Sequence, residues 1–131
     1  MRKIESVPYD PLWRKAFEAE AKNVGSVLGE NVVAIHHIGS TAIPNIYAKP
    51  VIDLLVEVKD ITEVDGRSLA IEALDYEVMG EFGISGRRYF RKDKEEGIRT
   101  HQIHAFETGS AEIERHIAFR DLSANLLSIG V

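Results

Sequence analysis

Residues 51–58, VIDLLVEV, do most to limit what this chain can fold into. The run is bounded by Pro50 and by Lys59-Asp60, and its length and β-branching suit a strand covered on both faces better than a helix. Strand alternation places Val51, Asp53, Leu55 and Glu57 on one side and Ile52, Leu54, Val56 and Val58 on the other. Asp53 is the discordant residue. A carboxylate buried without a partner is costly, so Asp53 is expected to bind a cation, accept hydrogen bonds or lie at an open cleft. A salt bridge to Lys49 or an arginine is the purely structural alternative.

The flanking segments predict one α+β domain over residues 1–131, with a central mixed sheet of five or six strands between helices. Ile4 to Pro8 reads as a short strand. Asp10 and Pro11 resemble an N-cap and first helical position. Trp13, Ala16, Phe17, Val24, Val27 and Leu28 then form an apolar stripe, interrupted by Glu20 and stopped by Gly29. Asn31 to Ile38 reads as a strand and Thr62 to Leu74 as a helix. Tyr76 to Met79, Arg88 to Lys92 and Arg99 to Phe106 read as strands, the last two joined by the turn KDKEEG. Ser110 caps a final helix that is expected to turn Ile113, Ile117, Phe119 and Leu122 inward. Arg120 and Asp121, adjacent on that helix, are not expected to pair with each other.

Composition excludes several chemistries. The chain has no cysteine, which rules out disulfides, thiolate metal sites and a cysteine nucleophile. A formal charge of −5 argues against a broad nucleic-acid surface and favours a small ligand. Arg87, Arg88, Arg91, Lys92 and Lys94 gather cations locally, although Glu95 and Glu96 follow at once. The N-terminus carries no apolar signal region and no run is long enough to span a bilayer, so a cytoplasmic address without membrane contact is expected.

The second informative feature is Gly39-Ser40-Thr41 at the end of the strand before the central one. Glycine there lets backbone approach a ligand, and the hydroxyls and amides can cradle phosphate, whereas an ordinary turn is the bland alternative. The segment HHIGSTAIPNIYAKPVIDLLVEV resembles the signature region of the GrpB family, a bacterial group placed in the polymerase-beta-like nucleotidyltransferase superfamily. VPYDPLWRKAFEAEA, GRRYFRK, RTHQIHAFETGS and RHIAFRDL carry the resemblance over nearly the whole chain. Relatives usually continue with more C-terminal helix, so this one is expected to be a shortened member.

The resemblance implies a nucleotidyltransferase-like fold in which a Gly-Ser turn holds a triphosphate and an Asp-x-Asp strand holds two magnesium ions, with a third carboxylate from a later strand. Carried onto this chain, it puts Asp53 at the second aspartate and Val51 at the first. Valine cannot ligate magnesium, and Glu57 lies roughly 13 Å along the strand, too far to replace it. His101, Gln102 and His104 stand where the third acid is expected, and alternation lets at most two of them face one ligand.

Two functional readings follow. One is a metal-dependent nucleotidyltransferase in which Gly39, Ser40 and Thr41 bind phosphate and Lys49, Arg87 or Arg88 contact the nucleotide. Asp53 would then be catalytic and hold the metal. Magnesium is the superfamily's ion, and manganese or zinc becomes the alternative if His104 and His37 join Asp53. The other is a nucleotide- or phosphate-binding module that has lost catalysis. Either is compatible with a homo-oligomer.

Overall fold

The computed structural model describes residues 6–128. Its elements are helix α1 (Leu12–Leu28), strands β1 (Val32–Ile38) and β2 (Ile52–Val58), helices α2 (Ile61–Asp65) and α3 (Ser68–Glu72), strands β3 (Glu77–Val78), β4 (Arg88–Lys94) and β5 (Ile98–Glu107), and helix α4 (Ala111–Ser128). The strands form one five-stranded mixed sheet in the order β1-β2-β5-β4-β3. Among the described strands only the β2–β5 pairing is parallel. The expected α+β class is the observed one.

Strand β2 is interior in the sheet and covered on both faces, as its apolar run requires. Ile52, Leu54, Val56 and Val58 face a core built with Trp13, Val24 and Leu28 of α1, Val64 of α2 and Ile71 of α3. Leu55 faces the other way, into a smaller core with Ile38, Phe106 and Ile113 of α4. Burial of each such side chain contributes about 1.5–3 kcal/mol, so the two cores hold the helices to the sheet. Only Asp53 and Glu57 keep partial exposure in this strand.

Local chemistry sets the ends of the elements. The N-cap position of α1 falls on Pro11 rather than on Asp10, one residue later than expected, although the Asp10 carboxylate still accepts from the Leu12 N–H at 2.9 Å. Gly29 ends the helix at a φ of 63° that suits glycine. Asn31 exchanges two 2.9 Å hydrogen bonds with the backbone of Asp60, tying the start of β1 to the end of β2. At the β4–β5 turn, Glu96 and Gly97 both take positive φ.

Three expectations change. The helix expected over Thr62 to Leu74 is two short ones, because Gly66 ends α2 and the Ser68 hydroxyl takes the Asp65 carbonyl at 2.8 Å, competing with the helical ladder. Within α4, Ile113 and Ile117 face the sheet, but Phe119 and Leu122 are out of phase with them and are 71% and 60% exposed. The strand expected at Ile4 to Pro8 lies partly outside the described residues, and its described part makes a single bridge between Val7 and Ala48.

Glu20, the interruption in the α1 stripe, is buried rather than solvated. It accepts from the Tyr76 hydroxyl and from Lys92 Nζ at 2.7 Å, and that ammonium also lies 4.6 Å from the centre of the Tyr76 ring. Burial opposes ionisation of Glu20, but the hydrogen bonds from Lys92 and Tyr76 and the Lys92 charge outweigh it and hold the carboxyl below its ordinary range. Glu20→Ala strands a partly buried ammonium and a buried hydroxyl, and chemical denaturation at neutral pH should register a loss of about 3 kcal/mol. A carboxyl depressed in the folded state stabilises above its unfolded pKa, so this contribution should fade as pH falls below about 4.5.

Candidate functional site

Strand β1 delivers the chain to the Gly39-Ser40-Thr41 turn directly beside Asp53, since Ile38 pairs with Asp53 across the β1–β2 ladder. Gly39 has φ 76°, and a Cβ at this position would stand 2.5 Å from Asp53 Oδ2. The glycine is therefore required twice, by its backbone conformation and by the carboxylate packed against it. Ser40 and Lys49 are exposed, and with Val51, Asp53 and Gln102 they line a groove of about 360 Å³. The turn and the acid thus share one open groove.

Thr41 stands apart from its neighbour. It is 2% exposed, and its hydroxyl donates to the Val51 carbonyl and meets His37 Nε2, each at 3.0 Å. Since that hydroxyl hydrogen is committed to Val51, the imidazole is the donor in the second bond. The expected phosphate contact from the Thr41 side chain is replaced by a pin between β1, the turn and the entry to β2.

Behind Asp53 stands His104, on the neighbouring strand β5, with Nε2 3.2 Å from Asp53 Oδ1. Arg87 Nη1 reaches His104 Nδ1 at 3.4 Å. A guanidinium only donates, so Nδ1 must offer its lone pair and the ring proton lies on Nε2, aimed at the carboxylate. Asp53 Oδ1 is oriented by this chain of contacts. Among the described residues Oδ2 has no hydrogen-bond partner and no buried side-chain oxygen lacks one, so Oδ2 is not fully buried.

Neither arginine is free for a ligand phosphate. Arg87 is 7% exposed, donates to the carbonyls of Glu81 and Phe82 at 3.1 and 2.7 Å, and lies over the Tyr89 ring. Its task is to hold the 81–86 loop and contact His104. Arg88 makes two bonds to Asp65, at 2.7 and 3.1 Å, on the α2 side of the sheet. In the first core's direction lies His101 as well, edge-on to Tyr76 and bonded to Thr100. Alternation thus separates His101 from the Gln102 and His104 pair.

His37 also leaves the expected metal set. It pairs in register with Leu54, on the face opposite Asp53, and stacks on Phe17 of α1 with ring centres 4.8 Å apart. Burial chiefly, with Arg120 and Arg14 adding to it against the opposing pull of Asp53, lowers its pKa to about 4. Glu57 is taken by the Thr108 hydroxyl at 2.6 Å. Among the described residues no three His, Asp or Glu side chains converge as ligands of one ion. The donor set around Asp53 therefore does not fit a two-magnesium centre.

Helix α4 adds residues that sequence reasoning missed. His116, Arg115 and Phe119 join Ile38, Asp53 and His104 around a second groove of about 460 Å³. The His116 and His104 rings lie 5.8 Å apart. The available signal was the RHIAFRDL segment, whose Arg115 and Phe119 share a helix face four residues apart. Arg120 donates to Asp121 at 2.9 Å and to the His37 carbonyl at 3.0 Å, so the expected non-pairing of Arg120 and Asp121 fails.

The sequence profile of the family described as GrpB protein matches residues 3–125. The chain belongs to the GrpB family. It is 46% identical over 120 residues to UPF0157 protein YqkA of Bacillus subtilis, covering 92% of this chain and 34% of that protein. It is 34% identical over 125 residues to Glutamate-rich protein GrpB of Alkalihalophilus pseudofirmus, covering 92% and 72%. The crystal structure of conserved protein GrpB from Enterococcus faecalis superposes with TM-score 0.89 at 44% identity, over 95% of this chain and 75% of that one. This GrpB-family chain therefore spans about a third of YqkA, and 62% of UPF0157 protein BH1888 of Halalkalibacterium halodurans, to which it is 36% identical. No helix among the described residues is long and apolar enough to cross a membrane.

Two outcomes follow from the geometry. Gly39→Ala should cost roughly 2–4 kcal/mol in denaturant, from positive φ and the clash with Asp53, and adding Asp53→Ala should recover part of that loss. In an NMR titration the His37 ring should protonate near pH 4. A histidine depressed in the folded state binds its proton earlier when unfolded, so His37 should lower stability as pH falls from about 6.5 towards that midpoint.

Proposed function

We propose that this chain is a binding module for a small phosphate-bearing ligand, a nucleotide, on a nucleotidyltransferase-like fold without the two-metal chemistry of that superfamily. The observation that carries this reading is the shared groove. Ser40, Lys49 and Asp53 open into it together, while Val51 occupies the place where a second carboxylate would be needed. The Ser40 hydroxyl and the Lys49 ammonium supply donors and charge for phosphate oxygens. Asp53 Oδ2 is an acceptor for a ligand hydroxyl, steadied through Oδ1 by His104.

The rival reading is metal-dependent transfer of a nucleoside monophosphate from a nucleoside triphosphate to an acceptor. Its support is the 3.2 Å between Asp53 Oδ1 and His104 Nε2, a spacing that one magnesium, manganese or zinc ion could bridge only if the Nε2 proton leaves and Arg87 gives up its contact with Nδ1. The readings separate in a single set of assays with ATP, GTP, CTP and UTP. The binding reading expects at least one triphosphate to raise the melting temperature in EDTA, a tenfold or so weaker effect in Lys49→Ala, and no pyrophosphate release with any of the three ions. Metal-dependent pyrophosphate release that Asp53→Asn abolishes would overturn it in favour of transfer. If no triphosphate stabilises the protein with or without metal, both readings fail.

A further inference from the structure

Asp53 lies on the seam between two grooves of different character. One side is the polar groove of Ser40 and Lys49. The other lies under α4 and is walled by Ile38, His116 and Phe119. Asp53 and Gln102 line both, so the two spaces adjoin at these side chains. Their volumes, about 360 and 460 Å³, each lie within the range of small-molecule sites.

Phe119 is the unusual element of the second groove. It is 71% exposed, and its ring meets no other aromatic ring among the described residues. The nearby imidazoles are already arranged, His104 tilted against both Tyr89 and His116. Burial holds His116 below its ordinary pKa, the neighbouring His104 adding to this, so at neutral pH the groove presents an uncharged ring there. Arg115 at the rim is ion-paired with Glu112 on the same helix. What this half offers is therefore an apolar shelf with a free aromatic face.

We infer that the site is bipartite and takes a ligand carrying both an anionic phosphate group and a flat ring. The phosphate lies at Ser40 and Lys49, a hydroxyl between the two ends meets Asp53 Oδ2, and the ring stacks on Phe119 against Ile38 and His116. This rests on the nucleotide-binding reading and adds to it the place and manner of ring recognition: the ring is held on Phe119 and chosen by stacking more than by base-edge hydrogen bonds. Gln102, at the seam, is the side chain placed to contact the linking sugar. Stacking of this kind tolerates different rings, so modest preference among bases is expected.

The test compares inorganic triphosphate with ATP, GTP, CTP and UTP by isothermal titration, on the wild type, Phe119→Ala and Lys49→Ala. Because Phe119 is exposed, its truncation should leave folding intact, which circular dichroism checks. At least one nucleoside triphosphate should bind about tenfold or more tightly than inorganic triphosphate. Phe119→Ala should erase most of that excess while changing inorganic triphosphate binding less than twofold. Lys49→Ala should weaken both probes alike. If Phe119→Ala leaves nucleotide affinity unchanged while Lys49→Ala lowers it, the bipartite site is wrong and the phosphate reading survives. If nucleotides bind in a Phe119-dependent way but Lys49→Ala has no effect and inorganic triphosphate does not bind, the phosphate half is wrong and the ring shelf stands alone. Absence of binding by every probe overturns both.

Discussion

A strand buried on both faces can keep a carboxylate only where the cover is incomplete. Strand β2 fills the space between α1 and α4, and Leu54, Leu55, Val56 and Val58 have no exposed surface. Asp53 escapes that enclosure because it sits near the strand's start, next to a glycine whose missing side chain leaves room for the carboxylate. Every other arrangement at the site answers this constraint. His104 supplies a donor from the adjacent strand, Arg87 selects the donor's tautomer, and Thr41 anchors the turn that bears Gly39.

The division of labour between the two sheet faces explains why residues close in sequence do different work. His37 and Ile38 are neighbours, yet one stacks under α1 and the other lines the groove under α4. His101 and His104 separate in the same way. Thr41, next to the exposed Ser40, turns its hydroxyl inward. Motif reading groups such residues together, whereas strand and turn geometry deals them to opposite sides.

Much of this was legible in the primary sequence. The apolar run at 51–58 identified the central strand, and its lone aspartate identified the position where the sheet opens. The α1 stripe and its glycine stop, the β4–β5 hairpin and the separation of His101 from His104 all follow from periodicity and turn chemistry. What escaped depended on contacts between distant segments. Glu20 looked like a break in a stripe because its partners, Tyr76 just before β3 and Lys92 of β4, lie 56 and 72 residues further along the chain. Arg87 looked like a free cation because the carbonyls that hold it belong to a loop of no obvious pattern. His116 and Phe119 were hidden by a final helix whose apolar residues do not fall on one face, so its phase could not be read from periodicity.

The parallel pairing of β2 with β5 has a consequence for how the site comes into being. Asp53 and His104 are 51 residues apart, and the helices α2 and α3 and strands β3 and β4 must all be accommodated before the two side chains meet. Closing so long a loop costs entropy that only the finished sheet repays. The groove is therefore a property of the completed domain: a nascent chain that has emerged only as far as β4 holds the acid and the glycine turn but lacks the imidazole that orients them.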